Sequence, residues 1–204
     1  RIAEKYVQSL NFYAKNSNPN STAKFITTRF GNVLGSNGSI VPLFTKQIQE
    51  GGPLTITHPE IIRYFMTIPE ACQLVLEAGA MGKGGEIYIF DMGEPVKIID
   101  LAKKMIRLAG FVPDKEIKIK IIGLRPGEKL YEELLNDTSK TLPTHNEKIM
   151  IGQDKCDDFE MINVLVSDLI KIAMKSSNDE IVGMMKKIVP EFKSMNSVFE
   201  TLDH

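Results

Sequence analysis

Apolar residues at Ile2, Ala3, Tyr6, Val7, Leu10, Tyr13 and Ala14 recur at helical spacing, so the chain opens on an amphipathic helix. The polar run Asn16-Ser17-Asn18-Pro19-Asn20-Ser21 reads as a loop, and residues 24–30, rich in β-branched and aromatic side chains, read as a buried strand. Gly31, Gly35, Gly38 and the polar residues among them form a second loop. Helical spacing returns over 41–49 and stops at Gly51-Gly52-Pro53, after which 54–57 is a short strand. Thr67-Ile68-Pro69-Glu70 has the T-x-x-E form of a capping box and launches a helix over 71–78.

Strand and helix alternate again beyond it. Residues 86–90 form a strand that ends at Asp91-Met92-Gly93, and 96–109 form an amphipathic helix closed by Gly110 just past its end. Ile117, Ile119 and Ile121 alternate with Lys118 and Lys120, the period-2 pattern of a strand with one face wet. Arg125-Pro126-Gly127-Glu128 is a turn feeding a short helix that runs through Leu135. Residues 148–151 are one more short strand, and 158–175 and 179–189 are helices, the last stopped by Pro190. With no internal repeat or low-complexity segment, the pattern predicts one continuous α/β body whose helices accumulate toward its C-terminal end.

Composition narrows the function. A chain of 204 residues buries roughly 70% of the surface its unfolded form exposes, so it needs neither disulfides nor a structural metal to hold a core. Lys and Arg number 25 against 26 Asp and Glu and are interspersed with them, which argues against nucleic-acid binding. No apolar run is long enough to span a membrane. Cys72 and Cys156 stand far apart, without a CxxC pair or a neighbouring His, and are expected to be reduced core thiols in a reducing, cytoplasmic compartment. The glycosylation-like triplets at Asn20, Asn37 and Asn136 read as chance or turn chemistry. Because the helical pattern is already under way at Arg1, the chain is expected to be a piece of something longer.

Several motifs hold two readings each. The glycines of 31–38 follow a strand and precede a helix, like a dinucleotide-binding loop. Such a loop should be followed about 20 residues later by an acidic residue for the adenosine ribose, and 51–58 holds no carboxylate. The alternatives are a plain turn, or a loop that brings backbone NH groups and the Asn32 amide to a ligand. Arg63, within Ile61-Ile62-Arg63-Tyr64-Phe65-Met66, needs a partner, either an internal carboxylate or an anionic ligand such as phosphate. Arg125, at a Pro-Gly turn, poses the same choice. Glu128 either accepts hydrogen bonds from sugar hydroxyls or favours a helix start. His58, His145 and His204 show no metal spacing and no nucleophile partner, so no metal site is expected. The Met residues are read as helix-core packing, and Glu132-Glu133 and Asp157-Asp158 as solvated helix-start charges.

Five blocks in series carry a family resemblance. They are Arg1-Ile2-Ala3-Glu4-Lys5; Arg29-Phe30-Gly31-Asn32-Val33-Leu34-Gly35-Ser36; Gly38-Ser39-Ile40-Val41-Pro42; His58-Pro59 with Arg63-Tyr64-Phe65-Met66-Thr67-Ile68-Pro69-Glu70-Ala71; and Arg125-Pro126-Gly127-Glu128-Lys129. Together they resemble the C-terminal half of the bacterial CapD-like polysaccharide biosynthesis proteins. These are nucleotide-sugar dehydratases and epimerases of the extended short-chain dehydrogenase superfamily, typified by UDP-N-acetylglucosamine 4,6-dehydratase.

The resemblance implies an α/β fold made of the last strands of a Rossmann-like parallel sheet plus a smaller substrate-binding lobe. Late Rossmann elements would occupy about 1–34 and 71–92, and the lobe about 35–70 and 93–204. The N-terminal cofactor-binding half, with the catalytic residues, would lie upstream of Arg1, so no catalytic residue is expected here. By the same resemblance Asn32 would contact the sugar diphosphate, and Ser39, Val41 and Pro42 would line its pocket. Leu54, Thr55 and Ile56 would flank the uracil, Arg63 and Arg125 would grip the pyrophosphate, and Glu128 would bind the ribose. Phe30 and Gly31 would face the nicotinamide of NADP or NAD.

In the family's reaction the sugar is oxidised at C4, water leaves across C5 and C6, and hydride returns at C6. The implied partners are a UDP-sugar, the missing N-terminal half and, in the parent, further copies of the same chain, the parent being cytoplasmic or anchored at the inner face of the membrane by an N-terminal segment. The chain alone is expected to be inactive. The rival readings are a C4 epimerase of the same superfamily, and a non-catalytic sugar-nucleotide-binding or assembly module.

Overall fold

A computed structural model describes residues 1–132 and 141–203. In chain order the elements are α1 (Ile2–Ser17), β1 (Thr27–Arg29), β2 (Asn32–Val33), α2 (Ile40–Gln49), β3 (Leu54–Ile56), β4 (Ile62–Arg63), β5 (Phe65–Met66) and α3 (Ile68–Met81). There follow β6 (Ile87–Phe90), β7 (Val96–Lys97), α4 (Ile98–Leu108), β8 (Ile119–Ile121), β9 (Thr141–Pro143), β10 (Ile149–Gly152), α5 (Phe159–Ile172), α6 (Asn178–Ile188) and a 3₁₀ turn, Val198–Leu202. They form two compact units, Arg1–Arg29 with Val75–Phe90 and Leu135–His204, and Phe30–Leu74 with Asp91–Leu134.

The first unit is built on a four-stranded sheet in the order β1-β6-β10-β9. All four residues of β6 are buried, as befits an unbroken apolar strand with a neighbour on each side. It pairs in parallel with β1, Thr27 opposite Ile87 and Arg29 opposite Ile89, and antiparallel with β10, Ile149 opposite Phe90. Helix α1 packs on α5 and α5 on α6. Ile2 and Tyr6 close over a cluster of Ile162, Ile188 and Val189, while Tyr13 stacks on Phe159 with ring centroids 4.6 Å apart.

The wholly buried residues of α1 are nevertheless polar: Gln8, Ser9 and Asn11. They are hydrogen-bonded, as burial requires. Gln8 Nε2 donates to the Gly85 carbonyl at 3.1 Å, and Asn11 Oδ1 accepts from the Phe25 NH at 3.0 Å. Helix α6 starts at a full capping box, in which Ser177 and Glu180 each accept the other's backbone NH.

The second unit packs one face of α2 and one of α4 over β3. Its core holds Phe44 and Ile48, Leu54 and Ile56, and Ile98, Ala102 and Ile106, the last three at four-residue spacing on α4. Strand β3 pairs in parallel with β8, β2 in parallel with β5, and β4 antiparallel with β7. Helix α4 ends in a Schellman turn. Gly110, at φ 87°, donates to the Arg107 carbonyl and Phe111 to the Ile106 carbonyl.

Several expectations are corrected. The strand predicted over 24–30 is ladder-paired only at Thr27–Arg29, and the helix predicted from 96 begins at Ile98 because Val96 and Lys97 are taken up by β4. Residues 141–203 pack with the sheet unit, not with the smaller lobe to which 93–204 were assigned, because β10 completes the second edge of β6. Cys72 is exposed and Cys156 only half-buried, so neither is a core thiol. Met161, Met174 and Met195 are exposed rather than core residues. Glu133, Asn136, His204 and the end of the short helix through Leu135 lie outside the described residues. Among the described residues, no helix is long and apolar enough to cross a membrane, and no group of three acidic, His or Cys residues could hold a metal ion.

Candidate functional site

The second unit contains a cleft of about 240 Å³, smaller than a pocket enclosing a whole drug-sized ligand. Its walls come from the α2 N-terminus, β3 and the residue after it, the β4–β5 strip, and the turn at Arg125 to Glu128. Asn32, Ser39, Thr55, Ile56, Arg63, Arg125 and Glu128 all line it, although they span nearly a hundred positions of sequence.

Glu128 is the hub of its polar wall. Its Oε1 accepts from Thr57 Oγ1 at 3.0 Å and lies 3.5 Å from Arg63 Nη2, while its Oε2 accepts from the Arg125 NH at 2.9 Å. The Arg63 side chain is 17% exposed, and its Nη1 donates to the Ile62 carbonyl at 2.7 Å. Its Nε lies 3.3 Å from Glu132 Oε1. Arg63 therefore has the internal carboxylate partner that one of its two readings required, and it also lines one cleft with Arg125. Arg125 itself is exposed at the cleft wall, with only its backbone drawn into the turn.

Asn32 is oriented by donation from Nδ2 to the Tyr64 carbonyl at 3.1 Å, and one amide hydrogen remains beyond that bond. Thr55 is fixed by Gln47, whose Nε2 donates to Thr55 Oγ1 at 2.8 Å while its Oε1 accepts from the Thr55 NH at 3.0 Å. Ser39 is the N-cap residue of α2 yet makes no capping hydrogen bond, and its Oγ is buried without a protein partner. An uncapped helix N-terminus beside an unpartnered hydroxyl suits an anion or a ligand oxygen.

Three residues predicted to bind the substrate do not line the cleft. Ile40 and Leu43 of α2 reach the cleft, whereas Val41 and Pro42 point along other directions of the helix. Pro42 fits its place because it stands in the first turn, where a backbone NH has no intrahelical partner. Leu54 is wholly buried in the core. Thr57, whose hydroxyl fixes Glu128, was missed; its only signal was a polar residue ending a β-branched strand.

Phe30 and Gly31 do not line the cleft either. A Cβ on Gly31 would stand 2.9 Å from the Tyr64 carbonyl oxygen, so close backbone approach is one requirement for that glycine. The loop 31–38 does not fit a dinucleotide. Its NH groups at Asn32 and Leu34 are spent on the Tyr64 and Met66 carbonyls of the β2–β5 strip, and those at Ser36 and Ser39 on turns within the loop.

Comparison with known proteins sets this arrangement in a family. The chain is 54% identical over 172 residues to the capsular polysaccharide biosynthesis protein CapD of Staphylococcus aureus, covering 83% of this chain and 27% of that protein. It is 41% identical over 110 residues to a UDP-glucose 4-epimerase of Rickettsia akari (strain Hartford), covering 53% of this chain and 30% of the epimerase. Among solved structures, Pen from Bacillus thuringiensis superposes with a TM-score of 0.63 at 32% identity, over 81% of this chain and 54% of that one. The chain thus spans about a quarter of CapD's length, and it shares the α/β fold of about half of the Pen chain. With the family's sequence profile matching residues 1–154, more than half of its length, the chain belongs to the polysaccharide biosynthesis protein family.

Proposed function

We propose that this chain is the UDP-sugar-binding portion of a nucleotide-sugar 4,6-dehydratase acting on a UDP-N-acetylglucosamine-like substrate in surface polysaccharide synthesis. The observation that carries the reading is the convergence of Arg63, Arg125 and Glu128 on one cleft with Asn32 and the α2 N-terminus. Guanidiniums match the paired oxygens of a diphosphate, and a carboxylate held on both oxygens accepts from vicinal ribose hydroxyls. In this reading Arg63, Arg125 and the Asn32 amide hold the diphosphate, Glu128 orients the ribose, and Thr55 and Ile56 border the base. The sugar then projects toward catalytic groups supplied by the rest of the parent protein. Because 51–58 holds no carboxylate for an adenosine ribose and the Asn32, Leu34 and Ser36 NH groups are bonded within the protein, the NADP or NAD that the family uses is assigned to that same remainder.

The C4 epimerase reading keeps the same roles for these residues and differs only in the fate of the oxidised sugar; the 41% identity to an epimerase favours it over a non-catalytic module. The full-length protein incubated with UDP-N-acetylglucosamine separates the possibilities. Loss of one water from the nucleotide sugar by mass spectrometry supports dehydration. An isomer of unchanged mass supports epimerisation, and an unaltered nucleotide sugar that is nonetheless bound supports the module.

A further inference from the structure

Arg63, Arg125 and Glu128 line the cleft, and a second carboxylate, Glu132, reaches Arg63 from outside that lining. These four side chains carry no net formal charge, so as they stand they offer a multiply charged anion little attraction. The two carboxylates are held very differently. Glu128 is 18% exposed and bound on both oxygens, by Thr57 and by the Arg125 NH. Glu132 is 43% exposed, and its ion pair to Arg63 Nε, at 3.3 Å, is long for a charge-assisted hydrogen bond.

We propose that Glu132 is an internal stand-in for the ligand's phosphate, a carboxylate that occupies Arg63 Nε and must swing away for that nitrogen to hold a diphosphate. The inference rests on the reading of this cleft as a diphosphate site and adds a residue that sets its specificity. Of the two carboxylates Glu132 is the one that can leave, since nearly half of it already faces solvent whereas Glu128 would lose two further hydrogen bonds. Its departure turns the remaining three side chains into a net cationic cluster and frees Arg63 Nε for a phosphate oxygen, while Nη2 stays beside Glu128. An uncharged ligand gains nothing from that exchange. Glu132 therefore discriminates by charge: it weakens every anion in proportion to its charge and leaves neutral ligands untouched.

The test is titration of the full-length protein with UDP and with uridine, comparing wild type, Glu132→Gln and Glu132→Ala, with thermal melting to confirm that each variant is folded. An exposed ion pair of this kind converts to about a two- to fivefold change in affinity, so both variants are expected to bind UDP about two to five times tighter while uridine affinity stays unchanged. Equal or weaker UDP binding by folded variants, against a wild type that prefers UDP to uridine, overturns the role of Glu132 and leaves the diphosphate site standing. A wild type that binds UDP no better than uridine overturns the diphosphate site and this role with it. Equal tightening for both ligands also overturns the proposal, because it signals general loosening of the cleft rather than removal of a competing charge.

Discussion

Thr57 donates its hydroxyl hydrogen to Glu128 Oε1 across 3.0 Å, tying the residue that follows β3 to a turn 71 positions away. Thr57 is buried, so Thr57→Val keeps the shape and takes one oriented donor from Glu128 while the Arg125 NH and the Arg63 pair remain. Losing one hydrogen bond to a partly buried carboxylate is expected to cost about 1 to 2 kcal/mol of stability. If Glu128 holds the ribose, UDP affinity should also fall, with UDP and uridine weakened alike because the ribose is common to both. Unchanged affinity for both ligands in a folded variant would remove Glu128 from the ribose role.

The arginines make a different forecast. Arg125→Ala removes an exposed guanidinium and keeps the backbone NH that donates to Glu128, so it is expected to leave the melting temperature nearly unchanged. It should weaken UDP binding by about one to two orders of magnitude, the value of a charge-assisted hydrogen bond or two. Arg63→Lys should lose both affinity and some stability, since an ammonium cannot serve Ile62 O, Glu128 and the ligand with one planar fork. Calorimetric titration and thermal melting on the same two variants check this. A loss of stability with full affinity in both variants would leave these residues a purely structural role.

Gly31 offers a forecast about the fold alone. A methyl group there would press on the Tyr64 carbonyl oxygen at 2.9 Å and on Met92 Sδ at 3.2 Å. The carbonyl is backbone already engaged by the Asn32 NH, so it cannot move without opening the β2–β5 strip. Gly31→Ala is expected to destabilise the protein by about 1 to 3 kcal/mol, read as a lowered melting temperature. An unaltered melting temperature would return Gly31 to a ligand-facing role.

What the sequence disclosed follows from how locally each feature is encoded. Helices α2, α4, α5 and α6 and strand β6 show in the periodicity of their own residues, and the Schellman turn at Gly110 shows in one glycine. The two-residue strands β2, β4, β5 and β7 do not, because they exist only through partners that the chain brings up from elsewhere. The same division runs through the site. Local sequence brought Arg63, Arg125 and Glu128 to notice and the family blocks suggested their roles, but a helix shows a cleft only one face, which selects Ile40 and Leu43 over Val41 and Pro42. Likewise the buried polar set Gln8, Ser9 and Asn11 could not be read from an amphipathic pattern that marks apolar positions, since its partners, Gly85 and Phe25, arrive from other segments.

The pH dependence of the sheet unit turns on Glu4. Its carboxylate meets Arg29 with two hydrogen bonds of 2.6 Å, to Nε and Nη2, and Arg29 Nη2 also reaches Asp154 at 3.0 Å. Burial pushes the Glu4 carboxyl upward, but the hydrogen bonds and charge of Arg29 outweigh it and hold the group below its ordinary value. A carboxyl depressed in the folded state binds its proton more weakly there than in the unfolded chain. Its stabilising contribution is therefore complete above the unfolded value of about 4.3 and is lost as pH falls through the lower folded value. Glu4→Gln removes that contribution at every pH. The variant is expected to melt below wild type at pH 7, with the gap narrowing as pH is lowered from about 5 toward 3, where the wild-type carboxyl also becomes neutral. Thermal melts of the two proteins across this range check the sign. A gap that stays constant or widens on acidification would mean that the Glu4–Arg29 pair does not supply the difference.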